Sequence, residues 1–148
     1  MRIFLITLCI LHLHAADESF EPEFITVSVV LGDRGGERTN VGSIQIFSDG
    51  ESRIYPEDET LRMVNGPKIS EEQYLAILSA GFELNRYLMD NYNSEVIGKM
   101  NGTLHFDLHR DGVNVSVATS QSCAPAHNLI AVVNAIYPGR CVSKLTYE

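Results

Sequence analysis

The chain has 148 residues, of which 45% are hydrophobic and 20% are charged, and its net charge is −8. This composition is typical of one globular domain of ordinary size and excludes a disordered chain. Because an acidic surface repels nucleic acid and anionic membranes, we expect neither as a partner.

The N-terminal residues predict a secretory signal peptide over residues 1–16. Arg2 supplies the positive charge, a nearly unbroken apolar run follows from Ile3 to Leu13, and Ala15-Ala16 offers small residues for cleavage. The apolar run is shorter than the roughly 20 residues that cross a bilayer. We therefore expect a secreted, extracellular protein with one domain over residues 17–148 and no membrane span.

The first part of that domain predicts three strands. Alternating apolar residues indicate a strand over 24–31, and a glycine-rich loop follows from Gly32 to Asn40. Because this loop joins two strands and does not open into a helix, it is a poor match for a phosphate-binding loop. A strand from Gly42 to Phe47, a tight turn at Asp49-Gly50 and a strand from Ser52 to Tyr55 come next.

Residues 70–89 predict the first helix. Ser70 is a suitable N-cap and Gln73 stands three residues later, which is the pattern of a capping box. Ile69 and Tyr74 occupy the two positions of a hydrophobic staple. Apolar residues then recur at helical spacing along the segment.

Residues 103–119 predict a hairpin with a two-residue turn at Asp111-Gly112. Counting outward from the turn pairs polar with polar and apolar with apolar residues: His109 with Asn114, Leu108 with Val115, Asp107 with Ser116, and Phe106 with Val117. With a last helix from Pro125 to Tyr137, the prediction is an α+β fold. It comprises a mainly antiparallel sheet of about five strands, with two hairpins, and two helices packed on one face.

Two kinds of covalent modification are predicted. Cys123 and Cys141 bracket the last helix, and such a pair in an oxidising compartment predicts one disulfide. The alternative is a catalytic or metal-binding thiol, which two distant cysteines without a CxxC motif favour less. Asn101 and Asn114 each begin an N-glycosylation sequon, and both are expected on the surface.

One cluster of candidate metal ligands lies in the predicted hairpin. His105, Asp107 and His109 alternate along one strand and so point to the same side. The two histidines are about 13 Å apart in a strand, whereas metal–ligand bonds are about 2 Å long. Only a neighbouring pair, with help from His127 or an acid, could chelate an ion. The alternative, a solvated hairpin face beside a glycan, is favoured, and no cofactor is expected.

Four stretches resemble the lumenal domain of the tenth subunit of the ER membrane protein complex: Val41-Gly42-Ser43-Ile44, Ser48-Asp49-Gly50, Ile69-Ser70-Glu71-Glu72, and Leu104-His105-Phe106-Asp107 leading into Val115-Ser116-Val117. A bacterial secreted domain of unknown function has a similar run of elements. The family's first disulfide cysteine, before the hairpin, and its final transmembrane helix have no counterpart in this sequence. The resemblance implies a non-enzymatic accessory role in a membrane-protein insertase.

No serine, histidine or carboxylate pair lies in a recognised catalytic motif, so we do not expect an enzyme. The leading hypothesis is a secreted, glycosylated, non-enzymatic protein that acts by binding an unknown protein or matrix partner, including mineralised matrix. The first alternative is the ER-lumenal accessory subunit. The second is a secreted metal-binding protein.

Overall fold

The computed structural model describes residues 20–32, 37–57, 61–91 and 98–147. The predicted signal peptide lies outside the described residues. In chain order the elements are β1 (Phe24–Gly32), β2 (Arg38–Phe47), β3 (Ser52–Tyr55), β4 (Val64–Asn65), α1 (Glu71–Asp90), β5 (Lys99–Arg110), β6 (Val113–Gln121), α2 (Ala124–Ile136) and a 3-10 helix (Cys141–Lys144).

The strands form one antiparallel sheet in the order β4-β3-β2-β1-β5-β6. This arrangement confirms the predicted α+β fold, but the sheet has six strands and not about five. The additional strand, β4, has only two residues, with Val64 opposite Ile54, and is too short to show an alternating pattern. Strand β2 also begins earlier than predicted, because the pairing of Leu31 with Thr39 extends it into the predicted loop.

The hairpin of β5 and β6 has the predicted register, with His109 opposite Asn114 and Asp107 opposite Ser116. Its turn residues Asp111 and Gly112 have φ angles of 50° and 75°. Positive φ at both central positions defines a type I′ turn, whose twist matches that of the flanking strands. The turn therefore fixes which residues of the hairpin face each other.

Helix α1 begins as its sequence predicts. The Ser70 hydroxyl accepts a hydrogen bond from the Gln73 backbone N–H at 3.1 Å, and the Gln73 side chain accepts one from the Ser70 N–H at 2.9 Å. Both residues of the expected staple, Ile69 and Tyr74, are buried. The reciprocal capping bonds satisfy two N–H groups at the start of the helix.

The core lies between the helices and one face of the sheet. That face carries the fully buried residues Ile25, Val27, Ile44, Leu104 and Phe106. Helix α1 comes very close to the sheet at Gly81, where an added Cβ would stand 2.2 Å from ring atoms of Phe106. Only the absence of a side chain at this position permits the helix to approach so closely.

Candidate functional site

The face of the sheet opposite the helices is turned toward solvent. Successive side chains of a strand point to opposite faces, so the residues between the core positions belong to this second face. We call its central part the open face and define it by these side chains, all of which are half-buried or exposed: Phe24, Thr26, Ser28, Ser43, Gln45, Phe47, Arg53, Tyr55, His105, Asp107, His109, Asn114, Ser116 and Ala118. Arg53 and Asp107 are the charged residue types among them. Toward the strand ends the same side of the sheet continues through further residues, which include the exposed Arg38 and Lys99.

A row of stacked side chains crosses four strands of the open face. The Arg53 guanidinium carbon lies 5.0 Å from the centroid of the Phe47 ring, which is tilted against Phe24 at 5.5 Å. Phe24 in turn stacks on His109, with centroids 4.3 Å apart and planes 13° from parallel. The His109 Nε2 is 3.1 Å from the Thr26 hydroxyl, which holds the imidazole in place. Such aromatic pairs contribute about 0.5–1.5 kcal/mol each beyond burial, so the row is ordered before any partner arrives.

The structure does not assemble the predicted metal site. His105, Asp107 and His109 share the open face, as expected, but their strand spacing keeps them apart. His127 lies on α2, where its ring stacks on Tyr147 with centroids 3.8 Å apart. In the described part of the chain, no group of three or more histidine, cysteine, aspartate or glutamate side chains could hold a metal ion. Among the described residues the structure thus gives His105, Asp107 and His109 no third ligand, and the metal-binding alternative stays a prediction.

The structure does not contain the predicted disulfide, because Cys123 and Cys141 are both free and buried in it. Cys123 is the N-cap of α2, whose 13 residues advance about 20 Å, so the segment that follows the helix would have to return most of that distance to bring Cys141 next to Cys123. The Cys141 sulfur instead lies 3.8 Å from the Val27 carbonyl oxygen in the core, and burial raises the pKa of this thiol to about 11.

The two sequon asparagines are both exposed but have different surroundings. The Asn101 side chain donates a hydrogen bond to the Lys144 carbonyl at 3.1 Å and accepts one from the Thr146 N–H at 2.8 Å. It therefore ties the start of β5 to the C-terminal segment. Asn114 lies on β6, on the open face and opposite His109. A glycan on Asn114 would thus stand at one edge of the open face.

The structure also reveals a serine–histidine contact that sequence reasoning missed. The Ser122 hydroxyl is 2.8 Å from the His127 Nε2 atom, at the start of α2. A serine nucleophile needs a base that is itself oriented by a third group. Among the described residues no acidic side chain contacts His127, whose ring stacks on Tyr147. A five-residue spacing at a helix start carries no sequence signature that would have indicated this contact.

A cavity of about 710 Å³ lies beside the start of α1. Five of its eleven lining residues carry carboxylates, but within the described ranges these form no group able to hold a metal ion. The cavity walls therefore supply charge without a recognisable catalytic arrangement.

No protein-family model and no curated protein matches the chain. None of the helices in the described residues is both long enough and apolar enough to cross a membrane. The resemblance to the ER complex subunit consequently stays a prediction, and the function must be argued from the surface itself.

Proposed function

We propose that this chain is a secreted glycoprotein that acts, without catalysis, by binding another protein through its open face. The observation that carries the proposal is the composition of that face. A chain with a net charge of −8 presents a face whose central side chains include only two charged residue types, Arg53 and Asp107, while the exposed Arg38 and Lys99 lie at its margin. The centres of protein interfaces are depleted in charge and enriched in aromatic residues, as this face is.

The dimensions of the open face fit the centre of a protein interface. The face lies on five strands, β3, β2, β1, β5 and β6, which span about 24 Å at about 4.8 Å per strand, and its part of β1, from Phe24 to Ser28, extends about 17 Å. The resulting area of about 400 Å² is half of the roughly 800 Å² that each partner contributes to a standard interface, so the partner we propose also covers residues around the open face. Small molecules favour concave pockets, which a sheet face of this kind does not offer.

The stacked row provides the centre of the proposed interface. Arginine and aromatic side chains contribute strongly to binding when they are enclosed by a partner. Arg53, Phe47, Phe24 and His109 are already held against one another. Because these side chains are ordered in the free protein, a partner that covers them incurs little additional loss of side-chain entropy.

The first experiment tests the location of the protein. The full chain is expressed in a eukaryotic cell line, and medium and lysate are compared for the protein and for its N-glycans. We expect protein in the medium with mature glycans. Retention in the cell, with immature glycans and in large membrane assemblies, would contradict secretion and favour the ER-subunit alternative.

The second experiment tests the surface. A photo-reactive amino acid is placed at Ser28, in the centre of the open face, and in a second sample at Ala76, on the exposed side of α1. We expect a discrete cross-linked partner from Ser28 alone. With that partner purified, Ser28→Arg should raise Kd at least about tenfold, equivalent to about 1.4 kcal/mol, and Ala76→Arg should not. Equal cross-linking from both sites, or equal Kd values, would overturn the proposal.

A further inference from the structure

The two edges of the sheet are protected very differently. Natural edge strands avoid unwanted pairing by being short, charged, bulged or interrupted by proline. At one edge, β4 has two residues and stands between Arg62 and the Pro67-Lys68 pair. At the other edge, β6 has nine residues and contains neither a charged residue nor a proline. No described strand pairs with the outer side of β6.

The turn of the hairpin determines which backbone groups of β6 are free. A two-residue turn makes Arg110 and Val113 a hydrogen-bonded pair, and hydrogen-bonded and non-bonded pairs then alternate along the ladder. Up to Thr119, beyond which the register with β5 shifts, the N–H and C=O groups of alternate residues in β6 therefore point away from β5. These residues are Asn114, Ser116 and Ala118, and their side chains are all exposed.

We propose that a second copy of this chain pairs with β6, antiparallel and about a two-fold axis at Val117. This register overlaps the whole strand and matches residues equidistant from Val117: Ser116 with Ala118, Val115 with Thr119, Asn114 with Ser120, and Val113 with Gln121. Ser116 and Ala118 of each copy form two such outward-pointing pairs, and each pair exchanges two backbone hydrogen bonds, which gives about four at the centre of the seam. The two sheets join into one of twelve strands.

The side chains of β6 are complementary to those of a second copy. On the core face, Val117 meets its own counterpart and Val115 meets Thr119, so apolar surface continues across the seam. On the open face, Ser116 meets Ala118, and both are small. No like charges stand opposite each other, because β6 has no charge. The pairing occupies the unprotected edge of both chains, so no such edge remains free in the dimer. The two-fold assembly therefore does not grow beyond two copies.

The test uses the full chain carrying Asn114→Gln, so that no glycan is attached to β6. Its mass is measured by sedimentation equilibrium from micromolar to submillimolar concentration. Ala118→Lys is added in one variant and, as a control, Gln45→Lys on the interior strand β2 in another. We expect the mass of the parent and the control to double with concentration. We expect Ala118→Lys to raise the dimer Kd at least about tenfold, since each seam then holds two lysines.

Amide hydrogen exchange provides a second measurement that does not depend on a substitution. The N–H groups of Ser116 and Ala118 should exchange more slowly as the concentration rises, whereas that of Val117, already bonded to Phe106, should not change. A parent that stays monomeric throughout the range would overturn the proposal. So would a dimer whose Kd is unaffected by Ala118→Lys, because its seam would lie elsewhere.

Discussion

The contact between Gly81 and Phe106 reverses the usual effect of replacing a helical glycine. Gly→Ala within a helix ordinarily stabilises a protein by about 1 kcal/mol. At Gly81, however, the new Cβ would stand 2.2, 2.2 and 2.7 Å from three ring atoms of Phe106. Ordinary carbon contacts are about 3.5–4.0 Å. The Phe106 ring is only 1% exposed and sits in the core, so it cannot move away into solvent.

The expected magnitude follows from these two opposing terms. Overpacking a core costs about 1–3 kcal/mol, and an overlap of more than about 1 Å with a buried ring belongs at the upper end of that range. Subtracting the gain in helix propensity of about 1 kcal/mol leaves a net loss of about 2 kcal/mol for Gly81→Ala. Phe106→Leu would remove part of the ring, so the double variant should be more stable than the sum of the single effects by at least about 1 kcal/mol.

Urea unfolding followed by circular dichroism measures all of these free energies. Ser79→Ala, on the exposed side of the same helix, is the matched control, and its effect should stay within about 0.5 kcal/mol of zero or be stabilising. A Gly81→Ala variant more stable than the parent would refute the reasoning. Additive effects of Gly81→Ala and Phe106→Leu would also refute it, because they would show that the two residues do not interact.

Three further predictions concern the capping box, the buried thiol and the C-terminal segment. Ser70→Ala removes the side-chain hydroxyl of the capping box and should lower the unfolding free energy by about 1 kcal/mol in the same urea titration; an unchanged value would show that the cap contributes nothing. Burial raises the pKa of Cys141 to about 11, so the folded state favours the neutral thiol. The stability that Cys141 contributes for this reason is fully present at a pH below the pKa of the unfolded thiol. It is lost as the pH rises through about 11. The unfolding free energy, measured as a function of pH, should decrease over this range in the parent and decrease less in Cys141→Val. Equal slopes in the two proteins would show that Cys141 is not the group responsible. Asn101→Ala deletes the bonds to Lys144 and Thr146 and should speed hydrogen exchange at the Thr146 amide, which unaltered exchange would disprove.

Local signals in the sequence predicted the local elements of this fold. The Asp111-Gly112 turn determines its own hairpin register, and the Ser70 and Gln73 pair marks the start of α1 through bonds between residues three apart. The sequence did not predict strand β4, because two residues show no periodicity. Its pairing also depends on β3 already being in the sheet. The elements that were predicted are thus those whose stabilising contacts lie close together in the chain.

The features of the candidate site depend on contacts that the linear pattern does not contain. Phe24 is tilted against Phe47 and stacks on His109, and the three residues come from three different strands. The surroundings of Cys141 are a related case. The spacing of the two cysteines could not show that the Cys141 sulfur packs against the Val27 carbonyl oxygen, or that both thiols are free in the structure. Which side chains share the open face depends on the registers of β1 with β2 and β5, and the sequence pattern does not determine these registers.

The position of β1 in the centre of the sheet has a consequence for synthesis of the chain. Thr26 is hydrogen-bonded to His109, which lies 83 residues later. At a synthesis rate of about 5–20 residues per second, roughly 4–17 s separate the appearance of these two residues. During that interval β1 can pair with β2 on one side, and its other side offers an uncharged segment, Phe24–Gly32, to any extended chain nearby. The speed of translation between β1 and β5 therefore sets how long the nascent protein is open to incorrect pairing.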